Sequence, residues 1–190
     1  MKPPADPNYI NNNFLVRNKV HKRQYQVAIF VTCSRTNCLV VVPTGLGKTM
    51  VALLLAVHRI SKNPNSKVIF LAPTKPLVDQ HLRTFQDLTL FDKDHLILMT
   101  GSVSPAKREQ MYKDATILFM TPQVLQNDLI ANRVSLQDVS LIIFDEAHRA
   151  TGDYAYTFIA EKAISKNIRI MGLTASPASD KEKMNNIIQN

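Results

Sequence analysis

The chain has 190 residues, of which 45% are hydrophobic and 20% charged, with 23 Lys and Arg against 15 Asp and Glu. That is the composition of an ordinary folded chain, and at this length folding buries roughly 70% of the surface the unfolded form exposes, so disorder, a collagen-like repeat and a disulfide-stapled miniprotein are excluded. No apolar run reaches the length of about 18 residues that a membrane helix needs, and the opening MKPPADPNYINNNF lacks the apolar stretch of a secretory signal. An intracellular protein is expected, cytoplasmic or, in a eukaryote, nuclear. The formal net charge of +8 favours a polyanionic partner, nucleic acid before a membrane. Cys33 and Cys38 stand alone, with no second pair and no clustered histidines, and read as two reduced thiols.

Residues 1–18 carry prolines and asparagines without periodicity and read as an irregular arm. Short, continuous apolar runs follow at 38–42 (CLVVV), 68–72 (VIFLA), 96–99 (LILM), 116–120 (TILFM), 141–144 (LIIF) and 168–173 (IRIMGL). Continuity rather than alternation is the pattern of strands buried on both faces. Between them, residues 48–60, 75–87, 106–112, 122–131 and 154–164 read as helices. Such alternation predicts an α/β domain over residues 19–178, with a mostly parallel central sheet and helices on both faces. Ser104-Pro105 and Thr121-Pro122 each set a capping hydroxyl before a proline at the first helical position. Residues 179–190 read as the start of a connection to something further.

The sharpest motif is PTGLGKT: Pro43, Thr44, Gly45, Leu46, Gly47, Lys48 and Thr49, between a buried strand and an apolar helix. Its glycines let successive N–H groups point at an anion, and the helix N-terminus adds free donors and the positive end of a dipole. Lys48 would reach the β- and γ-phosphates of a nucleotide, and the Thr49 hydroxyl would ligate Mg²⁺. The strict P-loop pattern wants glycine at position 42, where this chain has Val42. The fifth apolar run ends in Asp145-Glu146-Ala147-His148. Carboxylates delivered by a buried strand suit the far side of the same site: Asp145 for the metal, Glu146 as general base for an attacking water. His148 is a candidate for coupling the nucleotide to moving elements.

Together, PTGLGKT and DEAH make the chain resemble the first RecA-like motor domain of a superfamily 2 helicase. RQYQ at 23–26, APTKPLVDQH at 72–81, Thr100-Gly101, TPQ at 121–123 and LTASP at 173–177 agree in order. NCLVVVPTGLGKT, DVSLIIFDEAHRATGDYAY and GLTASP are similar to the archaeal Hef and eukaryotic FANCM branch, which acts on forked and branched DNA. The resemblance implies that ATP is the nucleotide, that Gln26 reads adenine, that Arg23 lies against the base, and that Thr174 and Ser176 link hydrolysis to domain motion. Tyr25 is expected in the core. So are Tyr154, Tyr156 and Phe158, beside the DEAH strand.

The resemblance also implies a DNA track over Pro73, Thr74, Lys75, Thr100, Gly101, Thr121, Pro122 and Gln123, in loops following strands. Contacts from such loops go to the backbone, so binding is expected to be salt-sensitive and nearly sequence-blind. Lys107, Arg108 and Arg149 read as solvated surface charge. A complete motor of this type has a second RecA-like domain whose arginines finish the ATP site. Nothing after Pro177 supplies one, so a fragment that binds nucleotide and hydrolyses it poorly is expected. Ala178 stands where relatives often have glycine. Two other readings remain open: an ATP-gated module that grips duplex RNA, and a P-loop switch acting on proteins.

Overall fold

The computed structural model describes residues 6–148 and 154–175. Its elements run α1 (Gln24–Arg35), β1 (Cys38–Val41), α2 (Lys48–Lys62), β2 (Lys67–Leu71), α3 (Lys75–Leu88), β3 (Leu96–Met99), α4 (Pro105–Asp114), β4 (Ile117–Met120), α5 (Pro122–Ile130), β5 (Val139–Phe144), α6 (Tyr154–Ile164) and β6 (Arg169–Thr174). The six strands form one sheet in the order β1-β6-β5-β2-β4-β3, and every neighbouring pair is parallel. The expected α/β architecture is the one found. No described helix is long and apolar enough to cross a membrane.

The continuous apolar runs follow from this layering. All five residues of β2 and all six of β5 are buried, because successive side chains of a strand turn to opposite faces and both faces are covered. On one face Phe70, Phe119 and Ile143 pack with Leu53 and Leu55 of α2 and Phe85 of α3. On the other, Leu71, Leu118 and Ile142 pack with Leu125 of α5 and Tyr156 and Ile159 of α6. Each large side chain buried this way contributes roughly 1.5–3 kcal/mol. The rings of Phe85 and Phe119 meet edge to face, 5.1 Å between centroids, at the middle of the first core.

Four local features differ from the sequence reading. Helix α1 was not foreseen, because only Gln26 and Cys33 of its twelve residues are buried and no apolar stripe marks it. Pro105 and Pro122 do open α4 and α5, but Ser104 and Thr121 meet the helices they precede only through their backbone carbonyls, and neither hydroxyl caps. Cys33 and Cys38 are not separate thiols. The short connection from α1 to β1 doubles the chain back, bringing their Cα atoms to 5.6 Å in a disulfide. The irregular stretch before α1 is docked rather than loose: Leu15 and Val20 are buried, and Val16 N–H donates to the Leu88 carbonyl at the end of α3. Ser176, Pro177, Ala178, Arg149 and the 179–190 segment lie outside the described residues.

Candidate active site

Because all six strands are parallel, every loop after a strand leaves from the same edge of the sheet, where open α/β sheets bind their ligands. The strand order sorts those loops. PTGLGKT follows β1, Thr174 ends β6 and DEAH follows β5. The loops carrying Pro73, Thr121 and Thr100 follow β2, β4 and β3. The nucleotide motifs therefore occupy one half of the edge and the other motifs the adjoining half. PTGLGKT and DEAH are two strand spacings apart, roughly 10 Å, with Thr174 between them.

Gly45 and Gly47 both adopt left-handed conformations, φ 83° and 80°, and Gly47 precedes the first residue of α2, Lys48. No side chain caps α2, so its first N–H groups are free for an anion. A Cβ on Gly47 would overlap Gln26 Nε2, so any side chain there must displace the Gln26 amide as well as adopt a left-handed backbone. Gln26 is buried, and its Nε2 donates to the Leu46 carbonyl at 3.3 Å. Tyr25 corrects the core expectation: it is 40% exposed, and its hydroxyl donates to the same carbonyl at 2.7 Å while accepting from Arg23 Nη1 at 3.3 Å. In this arrangement, RQYQ is braced on the loop. Val42, where strict patterns want glycine, prolongs the β1–β6 ladder by donating its N–H to the Thr174 carbonyl at 3.1 Å. A residue still in the ladder has no need of glycine's freedom.

Across the site, Asp145 is buried and held from three sides. Its N–H donates to the Leu71 carbonyl, its carbonyl accepts from the Tyr156 hydroxyl, and its Oδ2 accepts from His81 Nε2 at 2.7 Å. His81 is the functional residue the sequence reading missed. It sat inside a quoted motif, but nothing in one dimension joins α3 to the end of β5. Glu146 has a left-handed backbone, φ 52°, uncommon for a non-glycine residue and typical of constrained functional positions. His148 Nδ1 lies 3.3 Å from Glu146 Oε2 and 3.0 Å from Thr174 Oγ1, so DEAH touches the end of β6. Tyr156 is core, as expected, its ring against Phe144.

The residues fit a magnesium–nucleotide complex. Among the described residues no group of three or more His, Cys, Asp or Glu gathers to hold a metal. Mg²⁺ does not need one, since it keeps waters and phosphate oxygens and takes only one or two protein ligands. Thr49 and Asp145 are the residues that would supply them.

In the other half of the edge, Thr74, Lys75, Gly101 and Gln123 are exposed, Pro73, Thr100 and Thr121 are half-buried, and Pro122 is buried as the first residue of α5. Thr100 Oγ1 pairs with Ser102 Oγ at 2.7 Å. Lys107 is exposed, but Arg108 is not the solvated charge expected. Its guanidinium is buried on Asp128, because α4 turns that face toward α5.

The DEAD/DEAH box helicase family matches residues 22–184. The chain belongs to that family. Of its relatives, MJ1505 of Methanocaldococcus jannaschii, named as a proposed ATP-dependent RNA helicase, is 40% identical over 182 residues, 96% of this chain and 23% of that protein. The ATP-dependent DNA helicase mph1 of Neurospora crassa is 39% identical over 170 residues, 88% of this chain and 15% of its own. The crystal structure of the Pyrococcus furiosus Hef helicase domain superposes with a TM-score of 0.83 at 48% identity, covering 88% of this chain and 35% of that one. The resemblance to the Hef and FANCM branch stands on these matches. This chain spans under a quarter of the length of the curated relatives named here.

Proposed function

We propose that this chain is the nucleotide-binding motor domain of an ATP-driven DNA helicase or translocase, acting on forked or branched DNA with a second RecA-like domain of the same polypeptide. The observation that carries the reading is the sorting of loops by strand order: the phosphate cradle and DEAH over one half of a single sheet edge, the loops of Thr74, Thr100 and Thr121 over the other. In the first half, the cradle N–H groups and Lys48 hold the β- and γ-phosphates, Gln26 and Arg23 take the base, and Glu146 orients and deprotonates the attacking water. Thr49 and Asp145 would hold magnesium, whose chemistry there would be to supply positive charge to the phosphates. His148, Thr174 and Ser176 couple that chemistry to domain motion.

In the second half, Thr74 is exposed and does not cap α3 with its side chain, which leaves its hydroxyl and the start of that helix facing a phosphate, and the Thr121 side chain likewise does not cap α5. Gly101 has open space where a Cβ would stand and no left-handed φ, so neither packing nor conformation demands glycine there. Close approach of a strand backbone is a reason to keep the position bare. Pro73, Lys75, Thr100, Pro122 and Gln123 complete the track, with Pro122 shaping the start of α5. Mph1 of Neurospora crassa is named a DNA helicase, which favours DNA. The name of MJ1505 favours RNA, the second reading.

The test is steady-state ATP hydrolysis by the full-length protein, alone, with forked DNA and with duplex RNA, alongside Glu146→Gln. Stimulation by forked DNA that Glu146→Gln abolishes is the expected result. Stimulation by duplex RNA alone would transfer the proposal to RNA, and unchanged turnover in Glu146→Gln would remove the base assignment.

A further inference from the structure

Arg108 and Asp128 are 6% and 1% exposed, among the few charged residues buried away from the nucleotide motifs. Arg108 Nε donates to Asp128 Oδ2 at 2.6 Å and Nη2 to Oδ1 at 2.7 Å, a bidentate fork that fixes both side chains in one plane. The third guanidinium nitrogen, Nη1, donates to the carbonyl of Val103. Val103 belongs to the 100–104 connection between β3 and α4, and its own N–H donates to the Thr100 carbonyl at 3.1 Å. Arg133 adds a second cation on Asp128 Oδ1 at 3.2 Å.

Removing two charges from water is expensive, and a buried pair of this kind returns little net stability. Apolar residues of the same size often do as well or better. What a bidentate pair supplies that apolar packing does not is a fixed geometry. Its two ends are informative. One end holds the connection carrying Thr100 and Gly101. The other is Asp128 in the last turn of α5, the helix that Thr121 precedes and Pro122 and Gln123 open, and β3 and β4 are hydrogen-bonded neighbours at the edge of the sheet. Arg108 thus ties the 100–104 connection to the body of α5, the helix that opens at the adjacent 121–123 loop, and the spacing of those two loops must match a nucleic-acid backbone. Buried as it is, with three nitrogens engaged, it is poorly placed to meet a phosphate itself.

We propose that the Arg108–Asp128 pair is a strut that sets the distance between the 100–104 and 121–123 loops, making both positioning residues for strand binding. The inference rests on the nucleic-acid track proposed above. Burial pushes the Asp128 carboxyl up, but the bonds and charges of Arg108 and then Arg133 outweigh it and hold it ionised below the usual carboxylate range, which keeps the strut charged at working pH.

The test compares full-length wild type, Arg108→Lys, Asp128→Asn and the apolar pair Arg108→Met/Asp128→Leu, measuring thermal midpoint, KM for forked DNA, kcat at saturating DNA, affinity for a fluorescent ATP analogue, and the salt slope of DNA binding. The expected result is an increase of about tenfold in KM for DNA in all three variants, with kcat, nucleotide affinity and salt slope unchanged. The apolar pair is decisive, because it removes both buried charges together and restores packing without restoring the link to Val103. If that variant matches wild type in stability and in KM for DNA, the strut is only structural. A salt slope shallower by about 1 in Arg108→Met/Asp128→Leu would mean that Arg108 contacts phosphate directly, and a defect confined to nucleotide affinity would place the pair elsewhere in the cycle. Either outcome overturns the proposal. Failure of wild type to respond to any nucleic acid overturns instead the track on which it rests.

Discussion

His81 Nε2 donates to Asp145 Oδ2 at 2.7 Å, with both side chains more than nine-tenths buried. His81 lies on α3, the helix that opens with Lys75 and is preceded by Thr74, while Asp145 follows β5 at the proposed metal position. One helix thus has its start in the proposed strand track and its second turn on the proposed metal ligand. His81→Ala leaves a buried carboxylate oxygen without its donor, which costs about 1–3 kcal/mol of stability and frees Asp145 to rotate. The Mg²⁺ concentration for half-maximal hydrolysis should rise in His81→Ala and recover in His81→Gln, which keeps a donor. Chemical unfolding alongside a Mg²⁺ titration checks both.

The two cradle glycines should not respond alike. An alanine at 45 meets open space and bears only the left-handed backbone, about 1–2 kcal/mol. At 47 the same strain is joined by overlap with Gln26 Nε2, which must move aside from its bond to the Leu46 carbonyl. Gly47→Ala should therefore lose more stability and more ATP affinity than Gly45→Ala. Adding Gln26→Ala to Gly47→Ala should recover part of that stability, read from thermal midpoints of the three variants.

His148 meets Glu146 and Thr174 through the same ring nitrogen, so His148→Ala and Thr174→Val disturb one contact. Their effects on nucleic-acid-stimulated kcat should be less than additive, with a coupling of about 0.5–3 kcal/mol. Glu146→Gln should lower kcat by about 10²–10⁴-fold while ATP still binds. Additive losses from the first two would separate His148 from Thr174 in function.

Lys75 is exposed at the start of α3, and no ion pair holds it among the described residues. If it neutralises one phosphate, Lys75→Gln should weaken single-strand binding uniformly across sequences and make the slope of log K against log salt shallower by about 0.7. Binding titrations at four salt concentrations, with two unrelated sequences, measure this.

Acid should destabilise the domain in two windows. His58 has its pKa lowered, first by burial and then by Lys62 and Arg59. The unfolded chain therefore takes up a proton there before the folded one does. The stability this contributes is whole above the ordinary histidine pKa, about 6.5, and is lost as pH falls through the lower folded value. Asp128 is also lowered, so its contribution is whole above about pH 4 and disappears as pH falls through its own lower value. Thermal midpoints against pH should fall less steeply between pH 7 and 5 in His58→Gln, and less steeply below pH 4 in Asp128→Asn.

The sequence by itself determined the layering. Runs such as VIFLA and LIIF are apolar at every position, short and rich in β-branched and aromatic residues, which suits a strand covered on both faces, and the prolines at 105 and 122 fix where two helices begin. It also determined the cradle, since glycines at 45 and 47 followed by Lys48 carry their chemistry within a few residues. Helix α1 escaped because it lies mainly against α2 with only Gln26 and Cys33 fully buried, leaving too little periodicity to read. What only the tertiary structure decided were the partners of isolated polar residues. His81 finds Asp145 across 64 positions, Arg108 finds Asp128 across 20, and Tyr25 leaves the core for the Leu46 carbonyl across 21. Local patterns report burial because burial repeats with the period of an element. A single hydrogen bond has no period, and its partner is set by strand order, which brings β6 between β1 and β5 and appears nowhere in the linear order of residues.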